Sequence, residues 1–297
     1  MKQILKAYID LTRAHFFFAW PLLFCSGLFL AFLNYGGFSL PPIIKAALIA
    51  ILGFEAGFVL NDYVDRELDK KDVDQRLTRY WRLFKERPIP SGLIKPKQAL
   101  VLFIGLVAAT TLLILTLPHP NSIYVLVIMS YSYCLEYFYQ VRKRNQNLPL
   151  AQLLGRTDFA LFPVAGYLVF GMPDIAALLY FAFFYLFAMA HLGMNDIIDL
   201  ENDKARGLKT VTVLYGISGT VRWIMAFTLL HFVAGLFFMT GIGPVACTGF
   251  LIGVFLLTFA NLNLIRKQDS GTGLKVLPLF HVTMLVYSAS IILEFFI

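Results

Sequence analysis

The residues best suited to chemistry form two copies of one pattern. Asn61-Asp62-x-x-Asp65-x-x-x-Asp69 recurs as Asn195-Asp196-x-x-Asp199-x-x-x-Asp203, 134 positions later. On a helix, positions i, i+3 and i+7 share a face, so the spacing predicts Asp62, Asp65 and Asp69 side by side, and likewise Asp196, Asp199 and Asp203. Three like charges on one face repel unless a cation lies among them. Hard divalent cations take oxygen ligands, and Mg²⁺ typically binds through one or two carboxylates completed by substrate phosphates. The pattern therefore points to Mg²⁺, two or more ions, held by these six aspartates with a diphosphate between them.

Such a site needs further positive charge, because six carboxylates and a diphosphate outweigh a few Mg²⁺. Candidates lie nearby in the sequence: Lys143, one turn beyond Tyr139 with Glu136 on the same face, Lys85 and Arg87 in "FKERPIPSG", and Lys204 and Lys209 in "DKARGLKT". Asn61 and Asn195, which open each pattern, join the diphosphate-binding set.

The surroundings are those of a membrane protein. The chain is 59% hydrophobic and only 14% charged, whereas soluble domains are about one quarter charged. Apolar runs near 16–34, 42–61, 98–117, 121–139, 149–171, 174–195, 221–240, 244–264 and 277–297 are each long enough to cross a bilayer as a helix. No small-residue cleavage site follows the first, so it is kept as a span. The expected fold is all-α, with nine transmembrane helices in one domain over residues 1–297, in two pseudo-equivalent halves. Threading these spans puts all but Lys45 of the 25 Lys and Arg residues on one side. By the positive-inside rule that side is cytoplasmic, and both acidic patterns lie on it. The C-terminus falls outside. The formal net charge of +7 is thus an orientation signal, and no nucleic-acid partner is expected. In a prokaryote the membrane would be the cell membrane. Three cysteines, far apart in apolar runs, imply no disulfide framework.

The doubled acidic pattern, Tyr139-x-x-x-Lys143, "RPIPSG" (87–92) and "GLKTVTVLYG" (207–216) resemble the UbiA superfamily of intramembrane prenyltransferases over nearly the whole chain. The resemblance implies a helical bundle around a central cavity opening laterally to lipid. It implies Mg²⁺ and an isoprenyl diphosphate donor at both acidic motifs, with the Tyr/Lys pair near the phosphates. Asp65, Asp69, Asp199, Asp203, Lys143 and Tyr139 are then the expected catalytic set, and a lipophilic, aromatic, quinone-precursor-like molecule the acceptor. Glycerol-phosphate ethers and chlorophyllide-like rings are the alternatives.

One region departs from that pattern. "KKDVDQRLTRYWRLFKE" alternates Arg76, Arg79 and Arg82 with Leu77, Tyr80, Trp81, Leu83 and Phe84, as an amphipathic surface helix would. It either caps the site or anchors the loop. Residues for the acceptor are sought among Glu55, Asp158, Arg156, His191, Arg13 and His15, since intramembrane ionisable groups default to function. A secondary transporter built on repeats would place its site at the bilayer midplane, whereas these motifs close spans at one surface. A CDP-alcohol phosphotransferase would carry an Asp-Gly-x-x-Ala-Arg signature, which is missing.

Overall fold

The computed structural model describes residues 2–297, and among them every regular element is helical. In chain order the helices are α1 (Lys2–Leu11), α2 (Ala19–Tyr35), α3 (Leu40–Asp65), α4 (Arg76–Trp81), α5 (Pro96–Leu115), α6 (Asn121–Arg142), α7 (Leu150–Gly155), α8 (Thr157–Tyr167), α9 (Ile175–Ile198), α10 (Leu200–Arg206), α11 (Val211–Met239), α12 (Pro244–Arg266) and α13 (Ser270–Glu294). Among the described residues seven segments are long and apolar enough to cross a membrane: Ala14–Tyr35, which contains α2, and α3, α5, α9, α11, α12 and α13. The protein is a multi-pass membrane protein.

The other two expected spans differ in kind. Helix α6 has 22 residues, about 33 Å at 1.5 Å per residue, but Tyr, Ser, Glu136 and Gln140 dilute its apolar character. Residues 149–171 divide at Arg156 into six-residue α7 and eleven-residue α8. The turn that ends α8 leaves carbonyls free, and buried Asn121 donates to two of them, Leu168 O at 2.9 Å and Gly171 O at 2.8 Å. Irregular backbone at membrane depth persists where protein groups satisfy it.

Helix α2 is the central post, buried along most of its length and packed on α3, α8 and α13. Two glycines set its approach to α8. A Cβ at Gly27 would lie 1.9 Å from Pro163 O, and one at Gly166 would lie 1.8 Å from Phe24 O. Small residues let membrane helices meet backbone to backbone, and either glycine replaced by alanine would force these helices apart. Pairs α9–α11, α12–α13 and α3–α5 complete the bundle. Helices α3, α6 and α9 end at the same face, which carries both acidic loops.

Candidate active site

A cavity of about 290 Å³ opens at that face and descends between the helices. Its deep wall is aromatic. Trp20 stacks on Phe54 with centroids 3.8 Å apart, and Phe54 meets Phe162 edge-on at 4.8 Å; Phe58, Tyr133 and Phe159 line it as well. Its mouth is polar, with Asn61, Asp65 and Asp69 from one acidic loop and Asn195, Asp196, Asp199 and Asp203 from the other. The two motifs do face one cavity.

The helical-face reading of the first motif needs correction. Helix α3 ends at Asp65, and Asp69 sits in a separate 3-10 turn, Asp69–Lys71. Asp62 is absent from the cavity lining. It points to arginines instead, with Arg82 Nη2 at 2.7 Å and Arg13 Nη2 at 3.0 Å. The residues that share the cavity face are Asn61, Asp65 and Asp69, spaced i, i+4 and i+8. In the second motif Asp199 is the hinge between α9 and α10, and Asp196 remains in the lining.

The two loops differ in how their charge is met. Asp65 receives Lys143 Nζ at 2.7 Å and Arg144 Nη2 at 3.1 Å. Asp69 receives Arg87 Nη1 at 2.6 Å on one oxygen, and its other oxygen forms an ion pair with Arg206 Nη2 at 3.3 Å. Burial still pushes its carboxyl up, partly offset by those two arginines. In the second loop, among the described residues, the Asp196 carboxylate accepts only the Val211 amide at 2.9 Å, and that of Asp203 only the Thr210 hydroxyl at 2.8 Å. Asp199 has the Asn202 amide at 2.7 Å and Arg206 at 3.4 Å. Burial raises the Asp203 carboxyl well above the usual carboxylate range, and the charges of Asp199 and Asp196 push it further. Asp199 is raised too, again by burial, with Arg206 opposing.

Two bridges tie the loops together. Arg206 reaches Asp69 and Asp72 of the first loop and Asp199 of the second, its Nε donating to Asp72 at 2.6 Å. The Asn202 carboxamide accepts from Val73 and Asp74 amides at 2.9 and 2.8 Å and donates to Asp74 O at 2.8 Å.

The basic candidates separate clearly. Lys143, Arg87 and Tyr139 line the cavity, as does Arg156, whose guanidinium lies 5.1 Å from the Tyr139 ring centroid. Lys143 also bonds Gln140, and Glu136 accepts from Asn61 at 2.8 Å. Lys85, Lys204 and Lys209 are exposed and outside the lining; Lys204 pairs with Glu201 one turn away. Their expected places are taken by Arg82, Arg206 and Arg13. The basic 70–86 segment resolves toward a cap. After the 3-10 turn at Asp69–Lys71 only Arg76–Trp81 is α-helical, and Leu77, Thr78, Trp81 and Arg82 form part of the cavity wall. Of the acceptor candidates, Arg13, Arg156, Asp158 and His191 line the cavity, whereas Glu55 and His15 do not.

A Mg²⁺ fits this donor set. Asp196 and Asp203 are buried with only neutral donors, Asn195 Oδ1 is buried without a hydrogen-bond partner, and Asp69 Oδ1 has only the ion pair to Arg206. No three acidic, His or Cys side chains among the described residues enclose a metal by themselves. A shell completed by substrate phosphate, as Mg²⁺ prefers, agrees with that.

Residues 18–284 match the model of the UbiA prenyltransferase family. The chain belongs to that family, and it is a prenyltransferase. Among similar proteins, 4-hydroxybenzoate octaprenyltransferase of Shewanella denitrificans is 31% identical over 233 residues, covering 76% of this chain and 72% of the relative. Digeranylgeranylglyceryl phosphate synthase of Thermococcus sibiricus is 31% identical over 204 residues, covering 66% of each. The apo structure of a UbiA homolog from Aeropyrum pernix superposes with a TM-score of 0.74 at 19% identity, covering 95% of this chain and 98% of the other. A UbiA homolog from Archaeoglobus fulgidus bound to DMAPP and Mg²⁺ gives 0.69 at 15% identity, covering 96% and 99%.

Proposed function

We propose that this chain is a Mg²⁺-dependent enzyme that moves a polyprenyl group from an isoprenyl diphosphate to a lipophilic aromatic acceptor of the quinone-precursor type, releasing diphosphate. The observation that carries this reading is one cavity joining an aromatic, membrane-depth wall to a mouth of paired acidic loops and buried cations. A polyprenyl diphosphate has the same two-part chemistry. Its tail would lie against Trp20, Phe54, Phe58 and Phe162. Its head would lie between the loops, within reach of Lys143, Arg87, Arg156 and Arg206. Asp65, Asp69, Asp196, Asp199 and Asp203, with Asn61 and Asn195, would hold Mg²⁺. Bound there, Mg²⁺ would supply charge stabilisation for the departing diphosphate.

Lys143 and Arg87 are poised for exchange. Each is held by an aspartate in this structure, and each can turn to a phosphate without crossing the cavity. Their charges then face the bridging oxygen as it takes up negative charge, where electrostatic catalysis contributes most. The aromatic wall meets the allylic cation with ring faces and excludes water from it. An electron-rich acceptor carbon attacks the cation instead. The fold implied is one domain of nine spans, counting α6 and α7–α8, in two related halves with the mouth on the cytoplasmic side.

The relatives named above include both an aromatic and a glycerol-phosphate prenyltransferase, so glycerol phosphate is the second acceptor class. The test is incubation of the purified protein with geranyl diphosphate, Mg²⁺ and a panel holding 4-hydroxybenzoate and a glyceryl-phosphate ether, with products identified by mass spectrometry. Asp69→Ala and Asp203→Ala should each abolish turnover. The double variant should cost little more, since groups acting as one unit are strongly non-additive. Retention of activity by either single variant would refute the shared site.

A further inference from the structure

One line of titratable groups leaves the cavity through its side wall. His191 lines the cavity on α9, one turn deeper than Asn195. Its Nε2 lies 3.0 Å from His281 Nε2 of α13, and His281 Nδ1 lies 2.6 Å from the Tyr80 hydroxyl of α4. Three elements far apart in sequence thus place three proton carriers end to end, from the cavity to a half-buried side chain on the capping segment. Aromatic packing fixes the line. Phe187 lies parallel to the His191 ring at 2°, and Tyr80 and Trp81 pack on His281 with centroids 5.6 and 5.0 Å away. The diphosphate mechanism uses none of the three.

Prenyl transfer leaves a proton to be disposed of. The bond between the prenyl C1 and the diphosphate oxygen breaks, its electron pair leaving on oxygen. A new bond forms between C1 and an acceptor carbon or hydroxyl oxygen. The acceptor must then lose the C–H or O–H proton, whose electron pair restores the aromatic ring or stays on the ether oxygen. C1 is the carbon attached to the diphosphate, so the reaction centre lies just below the acidic mouth. His191 sits at about that depth, since four residues of helix rise about 6 Å.

We propose that His191 takes the proton released by the acceptor and that His281 and Tyr80 carry it out of the cavity. The proposal rests on the prenyl-transfer reading above. Nε2 of His191 is engaged by His281, so Nδ1 remains for the acceptor. As Nδ1 gains the proton, the proton on Nε2 passes to His281 Nε2. The one on His281 Nδ1 passes to the Tyr80 oxygen, and the Tyr80 hydroxyl proton leaves to water. Each residue gains and loses one proton, and both imidazoles end in the other neutral tautomer. The charged and titratable groups that line the cavity nearest this wall include Arg156 and Asp158 at the α7–α8 junction, Tyr139 and Glu136 on α6 and Asp196 on its own helix, with His281 and Tyr80 beyond.

The test measures prenylated product and released diphosphate separately, with geranyl diphosphate, Mg²⁺ and 4-hydroxybenzoate, in the full-length protein. General-base catalysis contributes about 10²–10⁴-fold. His191→Ala should therefore lose product formation by about 10²-fold at saturating donor, while diphosphate release continues with prenol as the product. His281→Ala and Tyr80→Phe should lose less, about tenfold, with donor KM unchanged. Added imidazole should restore His191→Ala, which a packing defect would not allow. If product and diphosphate fall together, if imidazole restores nothing, or if His191→Ala prenylates at the wild-type rate, the relay is overturned and the departing diphosphate is the base. A wild type that releases no diphosphate overturns the prenyl-transfer reading and the relay with it.

Discussion

Arg206 joins the two acidic loops, and its removal tests how the cavity mouth is held. The guanidinium pairs with Asp69 at 3.3 Å and Asp199 at 3.4 Å, and it also pairs with Asp72. Its side chain is 5% exposed, so water does little to replace it. Arg206→Ala leaves three buried carboxylates short of one positive charge. Removing one member of a buried ion pair costs about 3–5 kcal/mol. At 1.36 kcal/mol per factor of ten, that is on the order of 10²–10⁴-fold in the equilibrium between docked and undocked loops. Asn202 keeps its three hydrogen bonds to residues 73 and 74, so loosening should be local.

The assay is amide hydrogen exchange, comparing residues 66–75 and 199–207 with the central helix α2. Protection should fall by that factor in the two loops and stay unchanged in α2. Asp72→Ala added to Arg206→Ala should recover part of the loss, because it removes one of the stranded charges. Such coupling is the signature of a direct interaction. Full protection of both loops in Arg206→Ala would refute the bridge.

Further outcomes follow from neighbouring residues. Lys143→Ala should weaken donor binding roughly tenfold or more, since a hydrogen bond to a charged group contributes about 1.5–3 kcal/mol; calorimetry with a non-reactive diphosphate analogue would show it, and unchanged affinity would return Lys143 to a charge that only orients the chain. Asp203 has its carboxyl raised in the fold, so the unfolded chain ionises there first. Its contribution therefore lowers ligand-free stability as pH climbs from about 4 toward the raised value, by linkage. Thermal unfolding without Mg²⁺ should show that decline, Mg²⁺ should reduce it, and Asp203→Asn should flatten it. A reporter fused after Ile297 should read an external C-terminus, and a cytoplasmic reading would remove the nine-span orientation.

Much of the fold was legible because bilayer crossing constrains sequence so strongly. Seven expected spans coincide with apolar helices whose ends lie within a turn or two of the expected bounds at most sites. Helix α11 departs most, beginning at Val211 and breaking at Gly216, whose φ is 72°, and α13 begins early at Ser270 because Asp269 caps it by accepting from the Thr272 amide. Helix α6 was a weak span for a physical reason. Glu136, Tyr139 and Gln140 serve the cavity or its neighbours, and each lowers the apolar signal of the helix that carries it. The break at Arg156 has the same origin, since Arg156 lines the cavity rather than the lipid face.

The site was legible in its acidic residues and less so in its cations. Lys85, Lys204 and Lys209 were natural choices by proximity, yet Lys204 faces outward on α10, and Lys85 and Lys209 are exposed in loops. Arg206 was passed over as one positive-inside charge among many. Its position, three after Asp203 and seven after Asp199, shares their face, and that spacing was the available signal. Arg82 lay hidden in an amphipathic pattern that could equally have capped the site or anchored the loop. It is 2% exposed and meets Asp62. The line from His191 to His281 spans 90 residues and a helix crossing, which no local pattern encodes.

The repeated motif also misleads in one respect, and the difference bears on mechanism. Identical spacing suggests two equal half-sites, but their charge balance is opposite. In the first, Lys143, Arg144, Arg87 and Arg206 already neutralise Asp65 and Asp69. In the second, Asp196 and Asp203 have only neutral donors from Val211 and Thr210. A divalent cation gains most at the second, where it relieves repulsion among buried carboxylates. A diphosphate gains most near the first, where cations can be shared. Neither gain is complete alone, because a cation at the second loop lacks a phosphate to finish its shell, and Lys143 and Arg87 stay with their aspartates until a stronger anion arrives. Binding of each should therefore strengthen the other by the same factor, as linkage requires. Calorimetry should find donor affinity rising with Mg²⁺ in the wild type and losing that dependence in Asp203→Asn. Donor affinity indifferent to Mg²⁺ in the wild type would mean that the basic residues hold the diphosphate unaided.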